Sequence, residues 1–314
     1  MAHIPSIFID GEHGTTGLQI VERLAPRRDV KLLSIPHEQR RSVSLREEML
    51  NTADVVILCL PDDAAKEAVA AIRNPAVKVI DASTAHRVNP EWVYGFPEMD
   101  KGQRERIAAS TRIANPGCYA TGAIAILKPL IASGALPAAT ALNILGVSGY
   151  TGGGKALIEV HEGADPEPFA FYALGLSHKH LPEVQQCTGL QTKPVFLPSV
   201  GHFPTGMLVA IPLHASQLNV SAATAAQTLQ DWYAGETFVR AAALNTQENL
   251  ERGAFLRADT LSGTNQLEIF SYASNSGGEM VIVARLDNLG KGASGAAVQN
   301  LNILLGLPES SGLE

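Results

Sequence analysis

The 314-residue sequence predicts an α/β fold: a doubly wound parallel sheet in the first part, then an α+β domain built on a mixed sheet. Three observations carry this reading. Up to about residue 117, short apolar runs alternate with helix-spaced amphipathic ones. A glycine turn, GEHGTTG, separates the first apolar run from the first helix pattern. Beyond Cys118 the alternation gives way to strand-like runs with one long helical pattern among them.

In order, Ile4 to Asp10 is a short apolar strand, and LQIVERLA after the glycine turn has the spacing of an amphipathic helix. VKLLSI is a second strand and RRSVSLREEML a polar helix; ADVVILCLPDD, DDAAKEAVAAIR and KVIDAS continue as strand, helix, strand. Such alternation implies parallel strands joined by right-handed crossovers. IAASTRIANPG supplies one more strand, and GAIAILKPLI after Cys118 reads as a buried helix.

In the second part ATALNILGVSG, FAFYALGL, KPVFLPSV, GMLVAIPL, NQLEIFSYA and EMVIVARLD are six strand-like runs, and VSAATAAQTLQDWYAGE is the long helix. GKGASGAAVQNLNILLGL at the end is helical again and is expected to return to the first domain. The expected division is a dinucleotide-binding domain of residues 1–117 completed by 290–314, and a catalytic and oligomerisation domain of 118–289. The strand-rich part carries more apolar alternation than one helix covers, so a homodimer or homotetramer is expected.

A net charge of −7 gives no electrostatic reason to expect nucleic acid as a partner. Three cysteines, Cys59, Cys118 and Cys187, match neither a disulfide framework nor a metal site. The opening MAHIPSIFIDG shows no secretory pattern and no apolar run reaches membrane-spanning length, so a cytoplasmic protein is expected, with no membrane partner.

Gly11, Gly14 and Gly17 stand at GxxGxxG spacing between a leading strand and a helix, the context of a Rossmann-type cofactor turn. There the backbone can approach a pyrophosphate, and the helix start at Thr15 and Thr16 offers N–H groups. After the second strand an NAD-binding chain places Asp or Glu against the ribose diol, whereas here Ser34 is followed by Arg40 and Arg41. NADP(H) is therefore the expected cofactor, with Glu38 as counter-evidence. His13, inside the turn, reads as an exposed loop histidine.

ANPGCYATG places Cys118 at a helix start, where orphan N–H groups favour a thiolate. The same position suits a buried, inert cysteine, and the motif alone leaves both open. A nucleophilic cysteine needs an acid or base, and nine histidines are candidates. His3, His37, His86, His161 and His214 stand singly in polar surroundings and read as solvated; His202, in GHFP, reads as structural. GLSHKHLPEVQQ carries His178 and His180 two apart, on one face if the segment is extended, and Pro182 argues against a helical turn there.

Taken in order, GEHGTTG, DASTAHRV, FPEM, NPGCYATG, GVSGYTGGGK, SHKHLPEV and DNLGKGASGAAVQNLN make the chain resemble, over essentially its whole length, the semialdehyde dehydrogenase family. Within it the resemblance is to the N-acetyl-gamma-glutamyl-phosphate reductases in their shorter form. It implies NADPH-dependent reductive dephosphorylation of N-acetyl-gamma-glutamyl phosphate to N-acetylglutamate semialdehyde, in arginine biosynthesis, through a thioester on Cys118. It implies that His180 is the acid or base, with His178 in reserve, and that Arg87 of STAHR holds the phosphoryl group, a surface salt bridge being the alternative. Asn115, His178, Glu183 and Gln185 are then expected at the small-molecule acyl-phosphate substrate, and Asn288 and the Gly292 to Gly295 turn on the nicotinamide side. The turn departs from the common GASGYTG by carrying Glu12 and His13.

Three rival readings remain at this level. A cysteine hydrolase needs no dinucleotide turn and wants a third orienting residue. A cofactor-sensing regulator needs no cysteine at a helix start. A sister enzyme would act on another acyl phosphate, such as aspartyl phosphate or carrier-bound aminoadipyl phosphate.

Overall fold

The computed structural model describes residues 3–39 and 41–313. The chain divides into two compact units, residues 1–116 with 293–314, and residues 117–292.

The first unit runs β1 (Ser6–Asp10), α1 (Thr15–Leu24), β2 (Lys31–Leu33), α2 (Val43–Thr52), β3 (Val55–Leu58), α3 (Asp62–Ala71), β4 (Lys78–Asp81), β5 (Val93–Tyr94), α4 (Gln103–Ala109) and β6 (Arg112–Ala114). Its six strands are ordered β2-β1-β3-β4-β6-β5, and every pairing is parallel. β3, Val-Val-Ile-Leu, is buried throughout, as a central parallel strand covered on both faces should be. Phe8, Val56, Leu58 and Val79 of three adjacent strands pack with Leu50 of α2 and Ala65 and Ala68 of α3. Strand order reverses between β1 and β3, which puts the glycine turn after β1 at the topological switch point, where ligands of such sheets bind.

α3 opens with Asp62 and Asp63, whose charges favour the positive end of the helix dipole. The run read as one strand from Ile107 onward is split: Ile107 and Ala109 belong to α4, and only Arg112–Ala114 pairs. β5 and α4 are too short to give a periodic signal.

The second unit runs α5 (Cys118–Ala132), β7 (Asn143–Gly149), α6 (Lys155–His161), β8 (Phe169–Phe171), α7 (Leu181–Thr188), β9 (Val195–Gly201), β10 (Met207–His214), α8 (Ala222–Trp232), β11 (Val239–Ala241), β12 (Leu267–Ala273) and β13 (Glu279–Leu286). The seven-stranded sheet is ordered β11-β12-β13-β10-β7-β9-β8 and is mixed. β7 pairs parallel with β9, and β10 pairs antiparallel with both β7 and β13. All six expected strands are present and β11 is added. α5 lies directly on the sheet: a Cβ at Gly122 would stand 2.7 Å from Val209 Cγ2, so only glycine permits the approach.

Pro182, expected to keep its segment out of a helix, stands instead in the first turn of α7. A proline there has no N–H to waste and its fixed φ suits the helix, so the residue starts α7 rather than preventing it.

A π-helical turn over Gly290–Ser294 leads to α9 (Gly295–Leu305), which packs with α1, α4 and β4 of the first unit. Its polar residues are buried because each is bonded. Gln299 reaches Glu98 at 2.8 Å, Asn300 donates to Gly95 O at 2.8 Å, and Asn302 accepts from Arg27 Nη1 at 2.7 Å. Lys78 Nζ donates to Leu304 O at 3.0 Å, at the helix's negative end. Among the described residues no helix is long and apolar enough to cross a membrane.

Candidate active site

In the glycine turn, Gly11 has φ +93°, and a Cβ there would stand 2.4 Å from Cys59 O. A Cβ at Gly17 would stand 2.3 Å from Gly11 O. These two glycines are needed to close the turn. Gly14 is different: its nearest neighbour would be Gly11 O at 3.4 Å, so its outer side is open to an approaching ligand. Gly14 caps α1 without a side-chain hydrogen bond, which leaves the N–H groups at Thr15 and Thr16 for an anion. The turn thus fits a dinucleotide pyrophosphate, in the unit whose sheet order predicts one.

At the end of β2, Ser34 Oγ donates to Glu12 Oε1 at 2.8 Å. A carboxylate therefore stands beside the ribose-reading position although β2 itself supplies none. His13 is mostly exposed, its Nε2 3.9 Å from Glu12, as a loop histidine should be. Arg41 and Glu38 are exposed; Arg40, expected with Arg41 at the cofactor, lies outside the described residues. Cys59 beside the turn is no nucleophile, since burial, with Asp81 and Asp10 nearby, pushes its thiol up to about 12.

At the end of β4, Asp81 is fully buried and accepts from Ser83 N at 2.9 Å, Ser83 Oγ at 2.7 Å and His86 Nδ1 at 2.6 Å. The His86 ring stacks on Trp92 at 4.1 Å. His86, read from sequence as solvated, is a buried clamp on this turn. Next to it, Arg87 is buried and donates from Nε to Asn115 O at 2.9 Å and from Nη2 to Ala82 O at 3.2 Å. The surface-salt-bridge reading of Arg87 is thus excluded by its burial. Asn115, expected at the substrate, has its amide engaged within the unit: Nδ2 donates to Ala293 O at 2.9 Å and Oδ1 accepts from Asn300 at 3.1 Å. It braces the return of the C-terminal segment.

In the second unit Cys118 is the first residue of α5, after Gly117 in extended conformation. Gly117 N–H donates to Glu183 Oε2 at 3.2 Å, and Glu183 is fully buried. Glu183, expected to line a pocket, instead ties α7 to the cysteine turn. Gly292 lies against the cysteine from the other side, its hypothetical Cβ 2.8 Å from Cys118 Cβ.

Tyr119, which the sequence reading passed over, organises the rest. Its hydroxyl donates to Ser199 O at 2.7 Å, and its ring lies 5.9 Å from His178 and 6.2 Å from His180. His178 and His180 do come together, with ring centres 4.7 Å apart, though through a turn rather than an extended strand. His180 is buried at the N-cap of α7, and its backbone N–H donates to His178 Nδ1 at 3.1 Å. That bond puts the proton of a neutral His178 on Nε2. Desolvation, partly offset by a hydrogen bond with Tyr119, pushes the Tyr172 phenol up to about 12, and charge on Cys118 adds to the rise.

Three remaining expectations fall elsewhere. Gln185 donates to Leu190 O at 3.5 Å, beyond the C-terminal end of α7. Asn288 accepts from Gly206 N at 2.8 Å and donates to Thr151 Oγ1 at 3.1 Å, holding two loops together. His161, read as solvated, is buried with its ring on Tyr150, and its Nδ1 is 3.2 Å from that of His202. The partners of Asn288 lie 82 and 137 positions away and the His202 partner of His161 lies 41 away, so no local motif shows these roles.

Two family models match: the semialdehyde dehydrogenase NAD binding domain over residues 34–109 and the semialdehyde dehydrogenase dimerisation domain over residues 118–288. The chain is 50% identical to N-acetyl-gamma-glutamyl-phosphate reductase of Trichormus variabilis, over 98% of this chain and 99% of that one. It is also 50% identical to N-acetyl-gamma-glutamyl-phosphate reductase 2 of Pseudomonas putida, over 99% of this chain and 100% of that one. Among solved structures, aspartate semialdehyde dehydrogenase II of Vibrio cholerae shares the fold with a TM-score of 0.72 at 16% identity, covering 97% of this chain and 99% of that one. The NADP complex of the Candida albicans aspartate semialdehyde dehydrogenase aligns with a TM-score of 0.61 at 14% identity, covering 96% and 99%. With both domains matched and half of all residues shared along the full length, the chain belongs to the semialdehyde dehydrogenase family, in the branch of the N-acetyl-gamma-glutamyl-phosphate reductases.

Proposed function

We propose that the protein reduces N-acetyl-gamma-glutamyl phosphate with NADPH to N-acetylglutamate semialdehyde, as a cytoplasmic step of arginine biosynthesis, through a thioester on Cys118. The observation that carries the chemistry is Cys118 at the first position of α5, with the His178–His180 pair gathered on the ring of the adjacent Tyr119. The substrate is supported by relatives named for this reaction that share half of the residues.

Cys118, as thiolate, attacks the acyl carbon and forms a carbon–sulfur bond; the carbon–oxygen bond to phosphate breaks and phosphate leaves with its electron pair. The helix start favours the thiolate before attack. The glycine turn of Gly11, Gly14 and Gly17 would hold the pyrophosphate of the dinucleotide, and the reduced cofactor would supply the hydride that takes the thioester to a hemithioacetal. Its collapse returns the thiolate and releases the aldehyde. His180 is the acid and base for these proton movements, with His178 beside it. Arg87, held by two backbone carbonyls, is the residue that the family resemblance assigns to the phosphoryl group. Arg41, exposed after the second strand, supports NADPH over NADH.

The active form is a homodimer or homotetramer. The matched family model is described as a dimerisation domain, and the second unit leaves Leu145 of β7, Val195 of β9, and Phe169 and Phe171 of the edge strand β8 exposed. Covering such a surface with a second copy removes an edge strand that is otherwise open to aggregation.

The reading is tested by phosphate-dependent reduction of NADP with a panel of semialdehydes. N-acetylglutamate semialdehyde should be the preferred substrate by kcat/KM. Preference for aspartate semialdehyde would transfer the protein to the sister reaction, and hydrolysis of the acyl phosphate to free acid with no NADPH consumed would make it a hydrolase.

A further inference from the structure

We propose that Glu12, a residue of the glycine turn, sets the cofactor selectivity of this chain by acting as the ribose-reading carboxylate that β2 lacks. The inference rests on the dinucleotide reading of the turn and concerns which dinucleotide the turn prefers.

In doubly wound sheets the residue just after the second strand reads the adenosine ribose, an acid there accepting from the 2′-hydroxyl and opposing a 2′-phosphate. Ser34 occupies that position here, directly after Leu33, and a serine alone brings no charge to oppose a 2′-phosphate. Its hydroxyl, however, donates to Glu12 Oε1 at 2.8 Å and so holds a carboxylate from a residue 22 positions earlier at the same place. The backbone under Glu12 is fixed as well, because a Cβ at Gly17 would stand 2.9 Å from Glu12 Cα. The other acid of this strand end is committed elsewhere: Asp10 Oδ2 is paired with Arg46 at 2.7 Å. His13 Nε2, at 3.9 Å, is beyond hydrogen-bond reach of Glu12.

Glu12 therefore works against Arg41. A 2′-phosphate gains from the guanidinium and loses to the carboxylate, whereas a 2′-hydroxyl finds in Glu12 a charged acceptor. The net effect is a chain that accepts NADPH with a handicap and NADH with help. The usual acidic signal after β2 is displaced onto the turn, where it escapes a search of the strand end.

The test is direct binding, by calorimetry, of 2′,5′-ADP and of ADP to the wild type and to E12Q. Glutamine keeps the acceptor for Ser34 and the volume, and loses the charge. E12Q should tighten 2′,5′-ADP by about tenfold and weaken ADP by several-fold, the scale of one charge contact near a protein surface. The kcat/KM ratio of NADPH to NADH should rise in parallel. S34A, which frees Glu12 without removing it, should move both ligands in the same directions by less. Equal change for both ligands in E12Q, or no change in either, would overturn the proposal while leaving the dinucleotide reading standing. Binding of neither ligand by the wild type would overturn both.

Discussion

Gly292 stands against Cys118 so closely that a methyl group on it would come within 2.8 Å of the cysteine's own Cβ. The contact fixes one wall of the Cys118 surroundings with bare backbone. Replacing Gly292 with Ala must move either that backbone or the first turn of α5, and overpacking of this kind costs about 1–3 kcal/mol. G292A is expected to stay folded with a lowered melting temperature and to lose most of its kcat. Rapid alkylation of Cys118 in G292A at the wild-type rate would show that the contact does not shape the site.

Glu183 is a positioning residue. Its carboxylate accepts from Gly117 N–H, one residue before the nucleophile. E183A strands a buried donor at a cost of about 1–3 kcal/mol, whereas E183Q retains an acceptor oxygen. E183A should therefore lower the melting temperature and kcat with KM nearly unchanged, and E183Q should recover most of the stability. A large rise in KM in both variants would return Glu183 to the substrate pocket.

Within the histidine pair, H180N should slow turnover by about 10² to 10⁴, the usual worth of a positioned acid or base, and leave alkylation of Cys118 possible. H178N should be milder, since His178 accepts from the His180 backbone N–H and supports its neighbour. The reverse order of damage, read in single-turnover kinetics, would exchange the two roles.

The three thiols should separate by pH. Burial holds Cys59 up at about 12 and pushes Cys187 well above its ordinary value, with Glu183 adding to the shift. Both stay protonated, and so unreactive, as pH rises from 6 to 9, because only the thiolate is alkylated. Iodoacetamide in that window should label Cys118 first, and all three only after denaturation. Native labelling of Cys59 or Cys187 at the Cys118 rate would contradict the assignment.

At the cofactor, R41A should weaken NADPH far more than NADH, with the R40A/R41A double variant at least as selective. Equal losses for both cofactors would remove the arginines from 2′-phosphate recognition.

Long apolar runs made the sheets legible: β3 and β10 are strongly patterned, and the order of strand, glycine turn and helix located the cofactor cradle. Short elements were not legible, because seven or eight residues of α6 and α7 give barely two turns of periodicity. Pro182 was misread because a proline that breaks a helix interior is welcome in its first turn. At the site, the proposed nucleophile showed in NPGCYATG, but its supports did not. Glu183 faces Gly117 across 66 positions and Asn288 faces Gly206 across 82, and such pairings are set by the tertiary fold alone. Polar residues named from a motif turned out, at Asn115 and Asn288, to be internal braces.

The central claim is the covalent role of Cys118, and intact-protein and peptide mass spectrometry tests it most directly. Wild-type protein mixed with N-acetylglutamate semialdehyde and NADP in the absence of phosphate should accumulate one acyl group on the peptide that begins α5, and phosphate should discharge it as the acyl phosphate. C118S should show neither adduct nor turnover while still binding NADPH. Turnover by C118S, or an acyl group carried on any other residue, would contradict the account.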